Sequence, residues 1–344
     1  MISFRLIMIL FFSFLTFTSC RMKTSEVGQQ ITSTVVPSKS ASDLVVAFGS
    51  CNNQDKKQPL WKIIAAQAPD IWIWLGDNIY GDTKNMTKLE VMYQKQKDQP
   101  DYKRFLTQDV KVLGTWDDHD YGVNDGGKEF EFKDESAKLA FDFLGYSADE
   151  PSRKTPGLYN KSMHVSPEQS IGFIMLDTRY FRDDVERVKG KGYITNEAGD
   201  ILGDEQWSWL EESLKEEMDY VIIGSSIQVI PEDHRYEKWS NFPKSRKRLL
   251  DLLAKTQNKN IIILSGDRHI AEVSEIQWQG KKIIEVTSSG MTHSYETVGD
   301  EPNRHRVSKL IGEKNFGTLR FQENQVEVTI FGVGGKEYIK RILN

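Results

Sequence analysis

Cysteine is nearly absent: among 344 residues only Cys20 and Cys51 occur. A disulfide framework is therefore excluded as the source of stability. A basic excess is missing too, with 45 Lys and Arg against 50 Asp and Glu and a net charge of −5. That balance argues against specific nucleic-acid binding. The one basic cluster, Lys244-Ser245-Arg246-Lys247-Arg248, lies where a helical pattern begins and reads as a solvated helix face. No repeat of fixed period is visible. The N-terminal apolar stretch, Leu6 to Phe17, is too short for a comfortable membrane span. What is present supplies a large core: 38% hydrophobic residues, eight Trp among them.

Arg5 precedes that apolar stretch and Phe17-Thr18-Ser19-Cys20 closes it, so residues 1–19 read as an export signal. The small residues before Cys20 resemble a bacterial lipobox, which makes Cys20 the lipidation site. An ordinary signal peptide with an incidental Cys is the other reading. Residues 21–42 are polar and aperiodic, a flexible tether ahead of one domain at 43–344. The expected product is an exported lipoprotein, held to a lipid membrane on its periplasmic or extracellular side. Cys51 is then unpaired. It is either a small buried hydrophobe or a residue with a chemical task.

The rest of the chain repeats one design, in which a short apolar run ends in a polar cluster. Leu44 to Phe48 leads into Gly49-Ser50-Cys51, Ile71 to Leu75 into Gly76-Asp77-Asn78-Ile79-Tyr80, and Val110 to Thr115 into Trp116-Asp117-Asp118-His119-Asp120. Ser170 to Leu176 leads into Asp177-Thr178-Arg179, and Tyr220 to Ile223 into Gly224-Ser225-Ser226-Ile227-Gln228. Ile261 to Leu264 leads into Ser265-Gly266-Asp267-Arg268-His269, and Ile283 to Val286 into a segment reaching His293. Near-continuous apolar runs indicate strands covered on both faces. Helical patterns at 59–66, 133–144, 205–216 and 243–256 lie among them, and 317–321 with 325–331 reads as an antiparallel pair. Alternating strands and helices give an α/β layered domain, with the polar clusters gathered where open α/β sheets build their sites.

The clusters offer a thiol, a phenol, carboxylates and imidazoles. Cys51, Tyr80 and His269 are donors that suit a transition metal such as iron, whereas carboxylates alone suit calcium, magnesium or manganese. Asp77 is placed to bridge two cations. Two metals close together suit phosphoryl transfer. Three carboxylates crowded around His119 repel one another unless a cation compensates. Two roles stand open for Asp177, orienting Arg179 or capping the strand end. Tyr80 is a ligand or a packing tyrosine. His293 reaches the site or does not, and Trp239 lines a rim or fills the core.

Taken together, Gly-Ser-Cys, Gly-Asp-x-x-Tyr, Trp-Asp-Asp-His, Asp-Thr-Arg and Ser-Gly-Asp-x-His resemble the alkaline phosphatase D (PhoD-like) family of the calcineurin-like metallophosphoesterase superfamily. The resemblance implies a four-layer α/β/β/α sandwich of two mixed sheets flanked by helices. It implies hydrolysis of phosphate esters by a metal-activated hydroxide at a two-metal centre, with ferric iron beside calcium; magnesium, manganese or zinc are alternatives for the second metal. By position, Cys51, Tyr80 and His269 serve the iron, Asp77 bridges, and Asp118 and Asp267 serve the second metal. His119 contacts substrate or protonates the leaving group, and Arg179 binds the phosphate. His293, on the reading that it reaches the site, is a further substrate-binding candidate. A metal-dependent lipoprotein that binds phospho-compounds without turnover is the competing reading.

Overall fold

The computed structural model describes residues 43–297, 299–322 and 325–343. The expected signal segment, Cys20 and the tether lie outside the described residues. In chain order the first strands are β1 (Leu44–Gly49), β2 (Ile71–Leu75) and β3 (Lys111–Thr115), with helices α1 (Trp61–Ala66), α2 (Met86–Lys97) and α3 (Pro100–Phe105) between them. Then come α4 (Asp118–Tyr121), α5 (Lys133–Leu144), β4 (Asn160–Val165), β5 (Ser170–Met175) and a small hairpin, β6 (Arg187–Val188) with β7 (Gly192–Tyr193). The last part holds α6 (Gly203–Ser213), β8 (Tyr220–Ser225), α7 (Pro243–Lys255), β9 (Asn260–Ser265), β10 (Ala271–Trp278), β11 (Lys281–Ser288), β12 (Asn315–Gln322), β13 (Gln325–Gly332) and β14 (Glu337–Ile342).

These strands form two six-stranded sheets, ordered β14-β13-β12-β1-β2-β3 and β10-β11-β9-β8-β5-β4. Both are mixed: β1, β2 and β3 run parallel, as do β5, β8, β9 and β11, with antiparallel strands at the edges. The alternation of strand side chains explains the layering. In β2, Ile71, Ile73 and Leu75 enter the core between the sheets, beside Phe173, Ile222 and Leu264 from the second sheet. Trp72 and Trp74 face the opposite way, under α1, α2, α3 and α5. Trp61 of α1 meets them edge-on, at 5.1 and 5.4 Å between ring centroids. In β9, Ile262 and Leu264 turn inward, while Ile261 and Ile263 pack under α6 and α7. The result is the expected four-layer α/β/β/α sandwich.

Several elements escaped the sequence pattern. The apolar positions of α2 and α3 are few and flanked by charge, so no periodic signal marked them. Strands β4 and β14 are sheet edges with alternating exposure. His164 lies on edge strand β4, opposite Ile171. Trp239 is fully buried and donates from Nε1 to Ser225 Oγ at 3.0 Å, so it belongs to the core. The basic cluster at the start of α7 is not all solvated. Arg246 turns inward and donates to the Val229 and Ile230 carbonyls at 2.7 and 2.8 Å, which pins the segment after β8.

Candidate active site

The C-terminal ends of β1, β2, β3 and β9 converge, and each delivers a donor through a sharp turn. Cys51, Asp77, Asp267 and His269 all have left-handed backbones, with φ of 57°, 50°, 62° and 55°. Such conformations are uncommon outside glycine and concentrate at functional sites. Gly76, at φ 91°, makes the β2 turn possible: a Cβ there would lie 2.6 Å from the Asp117 Cβ. Backbone bonds from Cys51 N to Gly76 O (3.3 Å) and Asn52 N to Asp77 O (2.8 Å) lock the first two turns together.

The Trp-Asp-Asp-His-Asp segment divides its carboxylates among three tasks. Asp120 is a backbone clip, accepting from the Asp117, Asp77 and Asn78 amides at 2.7, 3.2 and 3.2 Å. Asp117 accepts from Arg179 Nε at 2.5 Å and from Ser226 Oγ at 2.8 Å. Asp118 alone joins the donor set, its oxygens held by the His119 and Asp125 amides at 3.0 and 2.7 Å. The crowding expected around His119 is thus relieved in part by buried partners rather than by cations alone.

Two groups of donor atoms lie within 4.8 Å of one another: Cys51, Asp77 and His269, and Asp77, Asp118 and His119. Asp77 belongs to both. Tyr80 Oη donates to Asp77 Oδ2 at 3.1 Å and lies 3.1 Å from His269 Nε2, so the phenol sits at the first group. Asp267 belongs to neither group, although its charge raises the Cys51 thiol. His293 comes to the site: its ring is 4.4 Å from that of His269 and 4.9 Å from that of Tyr80.

The chemistry of this donor set fits cations. Burial, reinforced by neighbouring carboxylates, holds the Cys51 thiol and the Asp77 and Asp267 carboxyls well above their ordinary pKa ranges. Burial lowers His269 to about 3, leaving a neutral imidazole available as a ligand. The buried Oδ1 of Asp77 has no hydrogen-bond partner. A cluster of buried acids that hold their protons until a cation displaces them, with an orphan carboxylate oxygen at the point shared by both groups, is what a bridging ligand requires.

Arg179 lies beneath this set rather than on its open face. It is fully buried, and besides Asp117 it contacts Glu237 Oε2 at 2.9 Å and Asp118 Oδ1 at 3.9 Å. Asp177 does not touch its guanidinium. It accepts instead from the Arg179, Tyr180 and Leu158 amides and from Trp116 Nε1, which makes it the cap of the turn after β5.

One residue had no signal in the sequence. Asp82 places Oδ1 2.7 Å from His119 Nδ1. With Nδ1 engaged, Nε2 is the nitrogen left to meet a substrate oxygen. Asp82→Asn is expected to lower kcat roughly tenfold, because His119 loses the carboxylate that orients its ring. Metal content and melting temperature should stay at wild-type values. An unchanged kcat would show that the contact has no part in turnover.

Two mixed sheets with metal-donor residues at the strand ends define the metallophosphoesterase fold. The chain belongs to the PhoD-like phosphatase family, whose model matches residues 45–329. Alkaline phosphatase D of Bacillus subtilis (strain 168) is 22% identical over a 289-residue alignment covering 70% of this chain and 48% of that protein. The chain therefore spans about half the length of this curated relative. Among solved structures, that of PhoD aligns with a TM-score of 0.69 at 18% identity, over 88% of this chain and 68% of that one. GAP50, described as the anchor in the inner membrane complex of Plasmodium, aligns with a TM-score of 0.58 at 15% identity, over 88% and 89%. These two likenesses concern the fold.

Proposed function

We propose that this chain is an exported phosphoesterase that hydrolyses phosphate esters at a two-metal centre. The observation that carries the reading is Asp77, shared by two donor groups and left with an orphan oxygen. Cys51, Tyr80 and His269 would hold the softer metal, ferric iron, with Asp118 and Asp267 on a hard cation, calcium foremost. Bound there, the metals supply Lewis acidity toward the phosphoryl oxygens and acidify a water. The chain's own residues do the remaining work. His119, held at Nδ1 by Asp82, presents Nε2 to the leaving oxygen, and Arg179 fixes Asp117 and Asp118 from below.

A binding protein without turnover would not require the contact between His119 and Asp82, which favours catalysis. The test is turnover of a chromogenic phosphodiester and phosphomonoester by purified protein, with elemental analysis of the same sample. Hydrolysis abolished by chelation and restored by metal supports the reading. Stoichiometric phosphate binding with no turnover would replace it by the binding reading.

Membrane attachment is proposed through Cys20. Among the described residues, no helix is long and apolar enough to cross a membrane. A single acyl chain binds weakly, so several are needed for a stable anchor. Cys20→Ala is expected to move the protein from the membrane fraction to the soluble fraction. Retention in the membrane fraction would rule out a lipid on Cys20 as the anchor.

A further inference from the structure

A row of rings crosses the active site. It runs from His119 to Tyr80 (4.2 Å between centroids), to His293 (4.9 Å), to His269 (4.4 Å) and on to Tyr295 (5.0 Å). Tyr295 then meets Tyr236 at 6.0 Å and 23°, close to parallel. These two tyrosines belong to a 510 Å³ cavity lined also by Asp233, Arg235, Asp300 and Glu301. Its size is that of a small-molecule site. The cavity therefore touches the donor set through Tyr295, at the end of the row opposite His119.

We propose that this cavity is a specificity pocket for the ester group that stays on phosphorus, and that it takes a flat, uncharged ring carrying hydroxyl or amino donors, as in a nucleoside. The proposal rests on the phosphoesterase reading. In an in-line displacement the attacking oxygen stands opposite the leaving group that His119 faces, and the retained group of a diester leaves phosphorus sideways, in the equatorial plane, from where it can extend to Tyr295. Tyr295 remains 41% exposed although its ring is flanked by His269 and Tyr236, which leaves aromatic surface for a bound ring to pack against. Asp233 and Glu301 are already paired with Arg304 and Arg268, so Asp300 and Arg235 remain as opposite charges on the wall, a balance that favours an uncharged group with a donor for Asp300.

The pocket is also held in shape. Arg268 places its guanidinium 4.0 Å from the centre of the Tyr236 ring. The next residue, Glu237, is buried and pairs with Arg179 at 2.9 Å and Arg182 at 3.3 Å. The segment carrying Tyr236 is thus tied to the same arginine that braces Asp117 and Asp118. A pre-formed wall loses little entropy when a ligand docks.

The experiment compares thymidine p-nitrophenyl phosphate with methyl p-nitrophenyl phosphate, which share a leaving group and differ only in the retained one. In Tyr295→Ala, kcat/KM for the thymidine diester is expected to fall about tenfold, the usual scale of one ring stack. The value for the methyl diester should hold. Calorimetry with thymidine monophosphate and inorganic phosphate supplies a reading that needs no turnover: the nucleotide binds more tightly than phosphate to the wild type, and the advantage vanishes in Tyr295→Ala. Equal losses on both diesters, or no nucleotide advantage in the wild type, would overturn the pocket while leaving the phosphoesterase reading intact. Absence of turnover on both diesters, with a nucleotide advantage that still depends on Tyr295, would remove the phosphoesterase reading and keep the pocket.

Discussion

Cys51→Ser is expected to lose bound iron and on the order of 100-fold or more in turnover, while the fold survives. The substitution hardly changes volume, but it replaces a soft donor that a cation deprotonates with a hydroxyl that resists ionisation. Cys51 is fully buried, and its Sγ lies 3.4 Å from Asp77 Oδ2 and 3.0 Å from Ser289 Oγ. The thiol is the only cysteine among the described residues and is free. If it is merely a small hydrophobe, the serine variant loses about 1–3 kcal/mol of stability and keeps its metal. Iron per chain, turnover and melting temperature measured on one preparation separate the two. Full iron occupancy with near-normal turnover would remove Cys51 from the ligand set.

The second large effect concerns Arg179. Arg179→Ala leaves Asp117 and Asp118 in a buried space without the cation that neutralised them, and leaves Glu237 to Arg182 alone. Breaking a buried ion pair by removing one partner costs about 3–5 kcal/mol, which for a chain of this size is a fall in melting temperature of roughly 5–8 °C. Metal content should fall with it, because Asp118 is among the donors. The contrasting outcome belongs to a phosphate-binding arginine: a melting temperature close to wild type and a large rise in KM. That result would mean the guanidinium reaches substrate in a conformation other than this one.

The donor residues were legible because each follows an apolar run directly. Cys51, Asp77, Asp118 and His269 sit just beyond strands whose burial made them easy to read, and such strand ends are where α/β sheets gather their chemistry. What could not be read is how the polar residues are shared out. Asp117, Asp118 and Asp120 look equivalent as letters. Only the fold gives one to Arg179, one to the donor set and one to three amides. Asp82 meets His119 of α4 from the loop after β2, and Glu237 meets Arg179 from a segment with no regular structure of its own. Pairings of this kind leave no periodicity. The left-handed turns at Cys51 and His269 are equally silent, since neither residue announces its backbone geometry as glycine does. The antiparallel pair at the C-terminus was read correctly as β12 and β13, though two residues of its turn lie outside the described residues.

The origin of the donors in two different sheets has a consequence for how the domain holds together. Cys51, Asp77 and Asp118 follow β1, β2 and β3 of one sheet, and Asp267 and His269 follow β9 of the other. A cation shared by residues 51 and 269 is a topological cross-link, fastening chain segments far apart in sequence. Unlike a covalent bridge, such a clasp opens when the chain unfolds, so its binding free energy adds directly to the folding free energy. In a protein whose domain carries one free thiol and no disulfide among its described residues, a metal bound there would also staple the two halves of the sandwich.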